Sequence, residues 1–88
     1  MEKTLTTKGH SALVKLVREK REAAGLTQEV LAKTLGEHQS FIARLESGQR
    51  RIDVLEYVTL AEVIGFDAVD ELSKLIASAD MTLVDHRT

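Results

Sequence analysis

Between Gln39 and Arg51 the chain carries Gln39, Ser40, Arg44 and Ser47, then the adjacent pair Arg50 and Arg51. At about 100° per residue the first four share one helix face with Ala43, and Phe41, Ile42 and Leu45 point the other way. An ordinary solvated face is richer in lysine and glutamate. This one is made of short or forked hydrogen bonders whose chemistry suits the edges of base pairs. Glutamine pairs bidentately with adenine and arginine with guanine, serine bonds several edges, and alanine leaves room for a thymine methyl. Two arginines beyond the helix end add charge of the sign that a phosphate backbone attracts.

Such a face needs a scaffold to present it, and the spacing upstream describes one. Counting Gln28 as the first position, Ala32 is fifth, Gly36 ninth, Ile42 fifteenth and Leu45 eighteenth. In two short helices joined by a tight turn, the fifth site must be small where the helices cross. The ninth must accept positive φ, and the fifteenth and eighteenth pack the pair together. At average residue usage the small–glycine–branched coincidence arises about once per thousand starting points.

The rest of the chain reads as helices punctuated by glycine. A first helix is expected from Ser11, with Leu13, Leu16, Val17, Lys20 and Ala24 on its inner stripe, and it ends at Gly25. Lys15, Arg18, Glu19 and Glu22 are expected to be solvated. Thr27 caps a second helix, QEVLAKTL, with Val30, Leu31 and Leu35 inward and Gly36 closing it. The third runs from about Gln39 to Glu46. Asp53 and Glu56 have capping-box spacing for a fourth, with Ile52 stapled onto Tyr57 and with Leu55, Val58, Ala61 and Ile64 inward. Asp67 caps a fifth over AVDELSKLIASA. Residues 1–9 show no pattern and are expected to be flexible, 10–79 form the domain, and 80–88 are a tail.

Composition limits the function classes. Eighty-eight residues make one domain with a modest core, and with 3% aromatics that core must be aliphatic. No cysteine means no disulfide, thiol nucleophile or thiolate metal site. His10, His38 and His86 lack metal-ligand spacing, and Asp85–His86 on a tail is no catalytic dyad. Without a phosphate loop or an activated serine, no enzyme, cofactor or metal is implied. The start MEKTLTTKGH lacks a signal peptide's apolar core, and no apolar run is long enough for a membrane, so a soluble cytoplasmic protein is expected. The net charge of −2 hides a split. Residues 1–51 carry 10 Lys/Arg against 6 Asp/Glu, and 52–88 carry 2 against 8, which gives +4 and −6. The first part suits a polyanion and the second is suited to staying away from one.

The run AGLTQEVLAKTLGEHQSFIARLESGQRR resembles the helix-turn-helix of the Cro and lambda-repressor-like DNA-binding family, and the likeness extends over roughly residues 10–78. It implies an all-α, compact five-helix domain whose third helix enters the major groove of double-stranded DNA. It also implies DNA contacts at Thr27, Gln28, His38, Gln39, Ser40, Arg44, Ser47, Arg50 and Arg51, with Gln28 and the last three at phosphate. Arg21 and Glu46 match a structural salt bridge found in some members. His38 departs from the family's usual Ser/Thr cap, and Val30 from its usual glutamate. Val69, Leu72, Leu75, Ile76 and Ala79 recur at three and four on the fifth helix and are expected to bury against a second copy. The resulting reading is a dimeric, sequence-specific transcriptional regulator on a palindromic operator. A different class, an antitoxin or interaction module that binds a partner protein such as a toxin and uses DNA for autoregulation, is the alternative.

Overall fold

The computed structural model describes residues 7–78; Ala79, the tail 80–88 with Asp85 and His86, and residues 1–6 lie outside the described residues. The described chain forms α1 (Lys8–Ala23), α2 (Gln28–Leu35), α3 (Gln39–Glu46), α4 (Val54–Ile64) and α5 (Ala68–Ala77), with no strand among them. Each helix is opened by its own cap. The side chains of Thr7, Thr27, Asp53 and Asp67 accept from His10, Val30, Glu56 and Asp70 N–H respectively, and only His38 caps α3 without a side-chain bond. Asp53 and Glu56 form the full reciprocal capping box.

The first four helices are each followed by a glycine in the left-handed region, whereas α5 ends at Ser78 in extended backbone. At Gly36 (φ 73°) the chain reverses between α2 and α3, with Glu37 N–H bonding Ala32 C=O at 2.9 Å. At Gly48 (φ 81°) α3 ends in the same way, with Gln49 N–H bonding Arg44 C=O at 3.0 Å. A side chain at either position would strain the turn that aims α3.

The core joins Val14 and Val17 of α1, Leu31 and Ala32 of α2, Ile42 and Leu45 of α3, Ile52, and Tyr57 and Leu60 of α4. Several faces differ from the sequence expectation. α1 starts at Lys8 rather than Ser11, and Gly9 and His10 are buried. Its inner stripe is His10, Val14, Val17 and Arg21, whereas Leu13 and Leu16 only flank the core, Lys20 is half-buried and Ala24 is exposed. Apolar periodicity misses this rotation because two of the four residues on that stripe are polar. Each has a buried partner: His10 Nε2 accepts Ile52 N–H at 3.3 Å, and Arg21 meets Glu46.

In α2, Val30 is exposed while Leu31 and Ala32 are buried. Three consecutive helical residues cannot share one inner side at about 100° per step. In α4 the residues turned in are Tyr57, Leu60 and Ala61; Leu55 is 77% exposed and Val58 41%. This helix is apolar on most of its circumference, so its pattern is ambiguous. The staple decides its rotation. Ile52 and Tyr57 are both buried, and Tyr57 Oη donates to Ala68 C=O at 2.7 Å, which ties α4 to the start of α5. Tyr57 also meets Phe66, ring centroids 5.9 Å apart.

Candidate nucleic-acid interface

Along α3 the side chains of Gln39, Ser40, Arg44 and Ser47 are exposed, Ala43 is half-buried, and Ile42 and Leu45 are fully buried on the opposite side. Phe41 is half-buried at the edge of the core. The expected division of the helix therefore holds, with Phe41 as its boundary. His38 sits at the N-terminus of α3, exposed, and Thr27 and Gln28 open α2 nearby.

Beneath this face runs a chain of hydrogen bonds that starts from the Arg21–Glu46 salt bridge implied by the family resemblance and continues through two glutamines that the sequence did not announce. Arg21 donates to Glu46 through Nε (to Oε2, 2.6 Å) and Nη2 (to Oε1, 2.9 Å), and through Nη1 to Leu26 C=O at 2.6 Å. Gln28 Nε2 donates to Glu46 Oε1 at 2.9 Å, and Gln39 Nε2 donates to Gln28 Oε1 at 2.6 Å. A carboxylate can only accept, so the order of donors and acceptors along the whole chain follows from Glu46. Gln28 must turn its NH₂ inward, which leaves its oxygen for the NH₂ of Gln39. Gln39 is left with its oxygen and one N–H outward. The Glu46 bond is also the main cause that raises the Arg21 pKa, against the opposing effect of burial, so the guanidinium keeps its charge. The two ions are buried together, with side chains 10% and 4% exposed, so neither can be removed without orphaning the other.

The segment after α3 leaves Ser47 and Arg51 exposed but turns Arg50 to partners within the chain. Ser47 Oγ donates to Arg44 C=O at 3.2 Å, and Arg51 is exposed. Arg50 turns toward α4. Its Nη1 and Nη2 donate to Glu56 Oε1 and Oε2 at 2.8 and 2.6 Å, and its guanidinium carbon lies 4.8 Å from the centre of the Phe41 ring. Glu56 was legible as a capping residue, but nothing in its spacing announced this second bond.

A second surface lies on α4 and α5. Val54, Tyr57 and Val58 of α4 and Ala68, Val69, Leu72 and Ile76 of α5 line one shallow apolar groove. Val54 and Val69 are each 75% exposed and Ile76 61%. Of the expected interface residues, Val69, Leu72 and Ile76 lie here. Leu75 instead faces α1 beside Leu16, and Ala79 is outside the described residues. The α4 contribution was missed because Val58 had been assigned to the core.

The helix-turn-helix family model matches residues 17–70 of the chain, which spans α2 and α3 completely. No curated protein matches it in sequence. Among solved structures it is similar to an XRE-family like protein from Pseudomonas syringae pv. tomato str. DC3000. The TM-score is 0.74 and the sequence identity 46%, over 77% of this chain and 83% of that one. Among the described residues no helix is long and apolar enough to cross a membrane.

Proposed function

The chain belongs to the Cro/C1-type helix-turn-helix family of DNA-binding regulators, and on that premise we propose that it acts as a homodimer on a two-fold-symmetric duplex site. The observation that carries this reading is the ordered amide chain ending at Gln39. An outward oxygen and N–H on one glutamine complement the N6 amine and N7 of adenine. Base reading at Gln39 is thereby prepared before DNA arrives, because Gln28 and Glu46 hold the amide in one orientation. Ser40 and Arg44 extend the reading face, with Arg44 suited to guanine. Thr27, Gln28, His38, Ser47 and Arg51 surround that face and take backbone phosphates, His38 with reach to a base as well.

One eight-residue helix covers only a few base pairs. A second copy, joined through the apolar groove of α4 and α5, supplies a second half-site about one helical turn away. The acidic charge of residues 52–88 supports this arrangement, since it keeps the assembly surface away from the duplex. Selection of bound duplexes from a random pool tests the proposal. The expected product is an inverted repeat with an A·T pair at a fixed position in each half. A pool that yields no enriched duplex rejects DNA reading, and an enriched single half-site without its mirror rejects the dimer.

A further inference from the structure

Arg50 has the charge for a phosphate ligand but is not placed like one. Its main partner is the Glu56 carboxylate, and the carboxylates of Asp53 and Glu37 also act on its charge. Three of its hydrogen bonds are internal: two to Glu56, and one from Nη1 to Arg51 C=O at 3.0 Å. One face of the guanidinium is stacked on Phe41. These contacts engage three of its five N–H groups and one of its faces, so its position is set from within the chain.

What those contacts join is informative. Phe41 belongs to α3 and stands between Ser40 of the reading face and Ile42 of the core. Glu56 belongs to the first turn of α4, where its Oε1 also accepts Asp53 N–H at 3.1 Å while Asp53 Oδ1 accepts Glu56 N–H at 2.7 Å. That turn carries Val54 and leads to Val58, both in the apolar groove.

We propose that Arg50 is a positioning residue that braces the base-reading helix against the first turn of α4, so that the geometry of the subunit interface sets the distance between the two reading faces. The inference rests on the DNA-binding dimer proposed above and adds a residue that determines half-site spacing. Only a fork can fulfil this role. Lysine keeps the charge but cannot bond both carboxylate oxygens and stack on a ring at once.

The test uses the full chain and the duplex selected for it, with affinity measured over a salt series. A second set of duplexes has one base pair added or removed between the half-sites. The variants are Arg50→Lys, Arg50→Ala, Glu56→Gln and the double Arg50→Ala/Glu56→Gln, with Arg51→Ala for comparison. Glutamine at position 56 still serves the capping box, so this variant isolates the ionic brace. The expected result is that Arg50→Lys, Arg50→Ala and Glu56→Gln each weaken binding roughly tenfold, and that the double is no worse than either single. All should keep the wild-type salt slope and lose discrimination against the altered spacers. Arg51→Ala should do the reverse, reducing the slope by about one ion while keeping spacer preference. The proposal is overturned if Arg50→Lys binds like wild type, if Glu56→Gln tightens binding by removing a negative charge, or if Arg50→Ala reduces the slope. If Arg50→Ala fails to fold, Glu56→Gln and Arg50→Lys decide the matter by the same criteria. A wild-type chain that selects no duplex overturns the DNA-binding reading itself and this inference with it.

Discussion

α3 and α5 are both short helices with one polar and one apolar side, yet the fold uses them oppositely. α3 turns its apolar side inward, burying Ile42, Leu45 and Glu46, and offers solvent its amides, hydroxyls and Arg44. α5 buries no residue; its Val69, Leu72 and Ile76 stay exposed, and the chain holds it by the Tyr57–Ala68 bond, the packing of Ala68 on the core and a 2.9 Å ion pair between Lys20 and Glu71. On the function proposed above, the difference follows from what each surface would meet. A polar face directed at base edges must be rigid before contact, because every side chain ordered on binding costs affinity. An apolar face directed at a second copy gains from being left uncovered until that copy arrives. α3 is locked from within, whereas the apolar side of α5 is left, on that reading, for a second copy to cover.

Four experiments probe that contrast. The largest effect is expected at the lock. Arg21→Ala leaves Glu46 buried with Gln28 as its remaining side-chain partner and should cost about 3–5 kcal/mol in urea unfolding, a large share of a small domain's stability. A loss below about 1 kcal/mol would mean that water reaches Glu46 and that α3 is not held by the pair.

Ile76→Asp probes the opposite end. Because Ile76 is 61% exposed, the monomer should keep its helical circular dichroism and unfold as before. Two carboxylates facing each other across a dimer axis should block assembly, and operator affinity should fall by at least about a hundredfold as the second half-site is lost. A helical monomer in sedimentation that still binds the full repeat tightly would remove the dimer from the account. An unfolded chain would instead place Ile76 in the monomer core and erase the contrast between the two helices.

On the reading face, Arg44→Ala should weaken the selected duplex by about 1–3 kcal/mol and relax preference at one base pair per half-site. Equal weakening on scrambled duplexes would reassign Arg44 to phosphate.

The smallest effect concerns pH. The bond from Arg50 holds the Glu56 carboxyl below the ordinary glutamate value, helped by Asp53 N–H and opposed by burial. A depressed carboxyl stabilises the fold above its unfolded-state pKa, and that stability disappears as pH falls through the lower folded-state value. Glu56→Gln should therefore flatten the loss of stability below about pH 4, by no more than about 1 kcal/mol. An unchanged acid profile would show that the brace adds no stability and is purely geometric.

The bounds of α2 and α3 were legible to the residue, because Thr27, Gly36 and Gly48 mark helix ends through local backbone chemistry. The division of α3 into reading and packing sides was equally plain, since its apolar and polar residues separate cleanly. Helix rotations were harder. α1 was misjudged because its inner stripe includes His10 and Arg21, which count as polar until their partners at Ile52 and Glu46 are known. α4 was misjudged because nearly every side of it is apolar, and an apolar residue is equally suited to a core and to an interface.

The sequence by itself determined what depends on neighbours along the chain: five capped helices, a tight glycine turn, a polar face on α3 and a basic half followed by an acidic one. Apart from the Arg21–Glu46 pair, which the family resemblance implied, only the tertiary structure decided which partner each long side chain takes. Gln28 is eleven residues from Gln39 and eighteen from Glu46, and whether such pairs meet depends on how the helices cross. Arg50 sits beside an equally basic neighbour, and nothing local distinguishes the two. Its bond to Glu56 arises because the turn after α3 brings that guanidinium over Phe41 and against the first turn of α4, where a bidentate carboxylate outcompetes water.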